Sequence, residues 1–340
     1  MRGVLDIPEE LIEIQQQVAG GLVEVEQIFA QQLASDLLAV DAMCEHVERY
    51  RGKMLRPTLV MLCGAASSPD SKVGRSHAIA GAVCEMVHMA TLVHDDVLDE
   101  AEIRRRGETL NQLRGNEMAV ILGDYLIASA YELCSSLDSP IPSRIVGNAS
   151  AVMCTGELLQ LHNRDNLSLD ETTYFEILER KTAALIGASC ELGALCTLGF
   201  DQQKSDVVVG LRAFGKRVGV AFQIQDDVLD LTGTQEVVGK SVGKDLEKGK
   251  LTYPLIHHLA NADAEQRGRS LEMIRAAASG SANETGELVD AIRATGSIDA
   301  AQKMAKSLIG DAKNELTAVE DSPSKAMLMV LADAVVQRSH

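Results

Sequence analysis

The 340-residue chain has no tryptophan, only five phenylalanines and five tyrosines, and seven prolines. Aromatics favour strands and proline interrupts helices. A chain short of both, and rich in Ala, Leu, Val and Glu, favours helix over sheet. Positive charge is also scarce: 32 Lys and Arg stand against 49 Asp and Glu, a formal net charge of −17. That balance argues against nucleic acid as a partner, which calls for a basic face, and against docking on anionic lipid through charge alone. The seven cysteines form no CxxC pair. Their odd number and apolar neighbours point to buried free thiols in a reducing compartment, hence a cytoplasmic protein. The first residues lack the apolar core of a signal peptide. No uncharged apolar run reaches the ~18 residues of a membrane-spanning helix, so no transmembrane segment is expected. With 46% apolar residues the chain can still build a large core, which excludes bulk disorder.

What is present is mostly helical periodicity. Residues 9–34 place Leu11, Ile14, Val18, Leu22, Val25 and Ile28 at steps of three and four, the spacing of one buried helix face. Further helices are predicted over 36–50, 57–67, 76–99, 116–137, 142–161, 169–199 and 204–230. Shorter ones are predicted over 251–260, 263–278, 283–294, 298–315 and 324–338. Pro57 suits a first helical turn, where its missing N–H does no harm. Residues 232–250, rich in Gly and Lys, form the longest polar loop. No linker separates domains, so residues 1–340 are expected to form a single all-α domain.

One pentapeptide occurs twice without change: Asp95-Asp96-Val97-Leu98-Asp99 and Asp226-Asp227-Val228-Leu229-Asp230. Each closes an apolar helical stretch. On a helix, residues three and four apart share a face, so each motif gathers carboxylates within about one turn. Each like-charge pair at that spacing costs roughly 0.2–0.5 kcal/mol, and the helix macrodipole disfavours anions at a C-terminus. Acid placed there twice calls for a positive partner. Mg²⁺ is the natural one, because it takes one or two carboxylates and completes its shell with water and phosphate oxygen.

The basic residues gather where an acidic protein has least need of them. Arg104-Arg105-Arg106 follow the first acidic motif, and Gly239-Lys240 and Lys248-Gly249-Lys250 follow the second. Gly52-Lys53-Met54-Leu55-Arg56-Pro57 and Arg180-Lys181-Thr182 stand elsewhere. Acidic clusters that hold Mg²⁺, beside Lys and Arg that neutralise phosphate, describe a site for phosphorylated substrates. Residues 78–94 are apolar and small enough to line a pocket for a hydrocarbon tail.

In this order the motifs resemble those of the trans-isoprenyl diphosphate synthases of the polyprenyl synthetase family, over roughly residues 15–335. They are GKxxRP at 52–57, DDxxD at 95–99 with RR at 104–105, KT at 181–182, QxxDDxxD at 223–230, GK at 239–240 and DxxxGK at 245–250. The resemblance implies a single large helical bundle around a central cavity, a homodimer, and three Mg²⁺ per active site. It implies condensation of isopentenyl diphosphate with an allylic diphosphate. By position, Asp95, Asp99 and Asp226 are the main Mg²⁺ ligands, supported by Asp96, Asp227 and Asp230. Arg104, Lys181 and Lys240 hold the allylic diphosphate. Lys53, Arg56, His88 and Arg105 hold isopentenyl diphosphate. Thr182 and Gln223 face the developing cation, and Lys250 closes the site. His88 lies seven residues before Asp95 and on nearly the same helix face. His94 and Gln225, which also precede the motifs, receive no role. The family commonly has Gly after the paired arginines, where this chain has Arg106.

Product length is read one turn before the first motif. Ala90 and Thr91 are small where short-chain members carry bulky aromatics, and Val87 and Cys84 continue the same face. From Asp95 to Cys84 is about 16 Å of helix at 1.5 Å per residue, which predicts a long-chain product. A plug from another helix, such as Met153 or Met118, would give a short-chain enzyme instead. A terpene cyclase would usually carry a different second metal motif, and a non-catalytic partner subunit would tend to lose its acidic motifs. Both motifs are whole here.

Overall fold

In the computed structural model the described residues are 8–68, 72–105, 107–232, 243–248, 250–278 and 282–338. Helix α1 (Ile12–Leu33) buries Ile14, Val18, Val25, Ile28, Phe29 and Leu33, the face that the periodicity marks out. α2 (Leu38–Glu48), α3 (Leu55–Ala66), α4 (Arg75–Leu98), α6 (Asn116–Ser135) and α7 (Ile141–His162) follow, with the short α5 (Leu110–Arg114) before α6. Next come α8 (Glu171–Leu178), a π-helical turn (Glu179–Ala183), α9 (Ala184–Leu198) and α10 (Asp206–Thr232). The chain closes with α11 (Lys244–Glu247), α12 (Tyr253–Asn261), α13 (Ala264–Ala278), α14 (Ala282–Ala294), α15 (Ser297–Asn314) and α16 (Pro323–Gln337).

Four local features depart from the predicted boundaries. α3 starts two residues early, because Met54 takes a left-handed conformation (φ 53°) and ends the preceding turn. Pro57 is then the third helical residue, still within the turn whose N–H groups lack intrahelical partners. A two-residue hairpin, β1 (Ile103–Arg104) with β2 (Gly107–Glu108), pairs Ile103 with Glu108 and Arg104 with Gly107 in antiparallel register. Strands this short carry no periodicity to read. The predicted 169–199 helix runs on through a π-turn at its middle. The polar 232–250 loop contains α11, whereas 233–242 lie outside the described residues.

Contacts group the chain into two compact units. Unit 1 comprises residues 1–150, 185–215 and 315–330; unit 2 comprises 151–184, 216–314 and 331–340.

Unit 1 centres on α4, which buries every residue from His77 to Val87. α3 is buried from Pro57 to Ala66. Close backbone approach packs α9 on α3: a Cβ at Gly193 would lie 2.3 Å from the Val60 carbonyl oxygen. α4 and α6 are long and apolar enough, by length and composition, to cross a membrane, but 78% and 44% of their apolar windows are buried inside the protein. α4 is therefore a core helix, while α6 leaves much of its apolar surface uncovered. In unit 2, Leu255, Ile256, Ile274, Leu288, Ile292, Ile298, Ala301 and Ile309 of α12–α15 form the apolar interior.

Candidate active site

The first acidic motif sits at the C-terminal end of α4 in unit 1. Asp95 and Asp99, one turn apart, are half-buried, whereas Asp96 is 2% exposed. Arg104, delivered by β1, clamps Asp96: its Nε donates to both carboxylate oxygens at 2.9 Å and its Nη2 donates to Oδ1 at 2.8 Å. The guanidinium also lies 5.9 Å from the centre of the Tyr50 ring, a cation–π distance. The family resemblance implies a supporting metal role for Asp96; here its carboxylate anchors the hairpin to α4.

Three arginines and one histidine gather on α3, α4 and the hairpin. Arg105 has φ 48°, and its Nη1 donates to the Arg51 carbonyl at 2.5 Å. A Cβ at position 52 would stand 2.3 Å from Arg105 Nη2. Glycine at the start of the 52–57 motif is therefore what lets Arg105 lie over that backbone. Burial and the charges of Arg56, Arg104 and Arg105 hold His88 well below the usual imidazole range, so the ring is neutral in a positive field. Arg56 Nε is buried without a hydrogen-bond partner among the described residues. Lys53 is exposed.

Glu85 belongs to this cluster too. Burial pushes its carboxyl up, while Arg56, Arg51 and Arg105 pull it down. It is 2% exposed, and the residue patterning assigns it no role. Its signal was a lone acid inside the apolar run 78–94, one turn before His88.

The second motif ends α10 in unit 2 and repeats the same division. Asp226 and Asp230 are half-buried and Asp227 is buried. Tyr174 of α8 donates its hydroxyl to Asp227 Oδ2 at 2.5 Å. Gln223 Nε2 donates to Asp227 Oδ1 at 3.2 Å, and Thr182 donates to Gln223 Oε1 at 3.2 Å. Burial and Asp245 push the Asp227 carboxyl upward, while the donors Tyr174 and Gln223 work against that. Burial and Asp227 raise the Tyr174 phenol well above its ordinary value, which keeps it a protonated donor. Asp230 Oδ2 accepts the Asp245 backbone N–H at 3.2 Å, and the Lys250 N–H reaches the Asp245 carbonyl at 2.9 Å.

The KT pair stands on the π-turn, a deformation that often marks functional positions. Lys181 Nζ donates to Gln160 Oε1 at 2.8 Å and pairs with Glu157. Arg338 also reaches this motif unannounced by any sequence pattern. Its Nη1 lies 3.4 Å from Asp226 Oδ1 and its guanidinium 4.8 Å from the Phe222 ring centre. Gln225 Nε2 donates to the Arg338 carbonyl at 3.0 Å, which gives Gln225 a structural task. His94 likewise packs, with Nε2 3.0 Å from the Val120 carbonyl. Lys240 and Arg106 lie outside the described residues.

The predicted pocket-lining residues differ in access. Cys84, Val87 and Ala90 have essentially no accessible surface, whereas Thr91 is half-buried with its hydroxyl on the His88 carbonyl at 2.7 Å. Only Thr91 of the four is open to a ligand in this arrangement.

The donor set fits Mg²⁺. Each motif offers two half-buried carboxylates at i and i+4, all hard oxygen donors. Among the described residues, no three His, Cys, Asp or Glu side chains converge on one point. A zinc-type closed shell needs such convergence; Mg²⁺, which keeps waters and takes phosphate oxygens, does not.

Residues 38–292 match the family described as polyprenyl synthetase. The chain is 36% identical over 237 residues to heptaprenyl diphosphate synthase component 2 of Bacillus subtilis, covering 70% of this chain and 66% of that one. It is 32% identical over 300 residues to a short chain isoprenyl diphosphate synthase of Methanothermobacter thermautotrophicus, covering 87% and 89%. The crystal structure of a decaprenyl diphosphate synthase from Rhodobacter capsulatus superposes with a TM-score of 0.88 at 31% identity, covering 97% and 99%.

Proposed function

The chain belongs to the polyprenyl synthetase family, and from that membership we propose that it condenses isopentenyl diphosphate with an allylic diphosphate into a trans-polyprenyl diphosphate, using Mg²⁺. The observation that carries this reading is the matched construction of the two acidic motifs. In both, the outer carboxylates at i and i+4 keep access while the inner one is buried and hydrogen-bonded.

In this reading Asp95, Asp99, Asp226 and Asp230 hold Mg²⁺, which when bound supplies the positive charge that draws off the allylic diphosphate. Arg56, Arg105 and Lys53 hold the diphosphate of isopentenyl diphosphate. Burial and the three arginine charges keep His88 neutral, so it can both donate and accept toward that substrate. Lys181, steadied by Glu157 and Gln160, and Lys240 neutralise the allylic diphosphate. Thr182 and Gln223 present oxygen dipoles to the carbon that becomes positive. Lys250 closes the site.

The small residues at 90 and 91 and the long-chain relatives support a long-chain product. A short-chain product is the second reading, favoured by the burial of Cys84, Val87 and Ala90 and by the short-chain relative. Incubation with farnesyl diphosphate, isopentenyl diphosphate and Mg²⁺, followed by product chromatography, tests both. A ladder beyond four isoprene units supports the first reading, and a product of four units or fewer the second. A cyclic hydrocarbon, or no turnover by the lone chain, defeats the condensation proposal. The seven free cysteines, five of them buried, support a reducing, cytoplasmic setting. The uncovered apolar face of α6 supports a homodimer.

A further inference from the structure

Tyr174 lies on α8, outside every motif, yet its hydroxyl is spent on the buried carboxylate of the second acidic motif. We infer that Tyr174 is a positioning residue for the condensation proposed above: through Asp227 it fixes which end of the Gln223 amide faces Thr182 and the reacting carbon.

Both Asp227 oxygens accept hydrogen bonds here, one from Tyr174 and one from Gln223, whereas an amide has one accepting and one donating end. Asp227 Oδ1 takes the Gln223 NH₂ at 3.2 Å, which forces Gln223 Oε1 to the other side, where Thr182 donates to it at 3.2 Å. A carboxylate with one unoccupied oxygen could rotate and take a different partner. Tyr174 prevents this by filling Oδ2 at 2.5 Å. The phenol is itself held. Its ring is 3% exposed and packs in a cluster with Phe175 and Tyr253, at centre distances of 5.5 and 6.0 Å. The four side chains form one connected series whose donors converge on Asp227, Tyr174 from one side and Thr182 through Gln223 from the other, which sets the direction of the Gln223 and Thr182 dipoles at its end. Removing the first donor loosens the last dipole without touching the ring packing.

The test compares Tyr174→Phe, Gln223→Leu and the double variant, with Asp227→Asn as a second way to break the series. The expected result for Tyr174→Phe is a kcat about ten- to a hundredfold lower, with KM for both diphosphates within about twofold. The double variant should be no slower than Gln223→Leu alone, because both substitutions disable the same group. Additive losses, or an unchanged kcat, would overturn the inference.

A second measurement does not depend on turnover. In protein labelled with ¹⁵N-glutamine, the Gln223 side-chain amide resonance, identified by its loss in Gln223→Leu, should shift in both Tyr174→Phe and Asp227→Asn. An amide resonance that stays in place in both variants overturns the inference even if the wild-type protein proves inactive. Inactive wild type with a shifting amide would instead sink the proposed reaction and leave the hydrogen-bonded series standing.

Discussion

At the scale of single residues, the two copies of one pentapeptide do two jobs at once. The outer carboxylates, proposed above to hold Mg²⁺, keep access, and the inner ones are hydrogen-bonded into the fold. Asp95→Ala should therefore lower turnover by orders of magnitude while the thermal midpoint stays near wild type. Asp96→Ala should do the opposite first, because it strands the Arg104 fork. Loss of that partner costs about 1–3 kcal/mol, visible as a lower midpoint in a circular dichroism melt. Equal destabilisation by both substitutions would contradict the division of labour.

His77 gives a residue-scale prediction in pH. Its Nδ1 accepts the Gly74 N–H at 3.2 Å, while Nε2 lies 2.9 Å from Thr197 Oγ1. Burial pushes its pKa down from 6.5 to about 4, against backbone hydrogen bonds to Gly193 and Gly74 that work to raise it. The folded pKa lies below the unfolded one, so the unfolded chain takes up the proton first as pH falls. Stability is unaffected above about pH 6.5 and drains away between there and pH 4, by about 3 kcal/mol from this group. Urea unfolding at pH 7 and pH 4 measures the loss. In His77→Gln the difference between the two pH values should shrink by about that amount.

Among the secondary elements, the π-turn is where sequence and geometry diverge most usefully. Residues 169–199 read as one helix and do run as one, but the extra residue in the turn at Glu179–Ala183 shifts Lys181 and Thr182 out of the register that plain α-helix would give them. α7 meets this turn at Gly156. A Cβ there would lie 2.6 Å from the Lys181 backbone nitrogen and 3.0 Å from the Arg180 carbonyl carbon. Backbone cannot step aside as a side chain can, so Gly156→Ala must push α7 away from the turn. The expected cost is about 1–3 kcal/mol. The KM for the allylic diphosphate should rise with it, because Glu157 and Gln160, which steady Lys181, are carried on the same helix. A midpoint and KM both at wild-type values would show that the contact is not needed.

For the molecule as a whole, the uneven cover of its apolar helices is the property on which the proposed homodimer rests. α4 is as apolar as α6 but deep in unit 1, whereas α6 exposes Met118, Val120 and Ile121, the last at 65%. A second copy packed on this face would account for it. Ile121→Glu puts charge at the centre of that face, and light scattering behind size exclusion should then report a monomer where wild type gives a dimer. An unchanged mass, or a wild type already monomeric, would remove α6 from the interface.

Much of this molecule could be read before any coordinates. Periodicity located the long helices to within a few residues, because a helix with one buried face must repeat its apolar positions every three to four residues. The repeated DDxxD was legible because helical spacing alone brings residues i and i+4 to one face. What sequence could not reveal was which of the three carboxylates in each motif turns inward, since that depends on Arg104 and Tyr174 arriving from other elements. The roles of Glu85 and Arg338 were hidden for the same reason. Even the small residues at 84, 87 and 90, which suggest space, are filled in by neighbours. Local spacing determines what a residue can face. Only packing between segments distant in the chain decides what it does face, because the partners that satisfy a buried charge come from wherever the fold brings them.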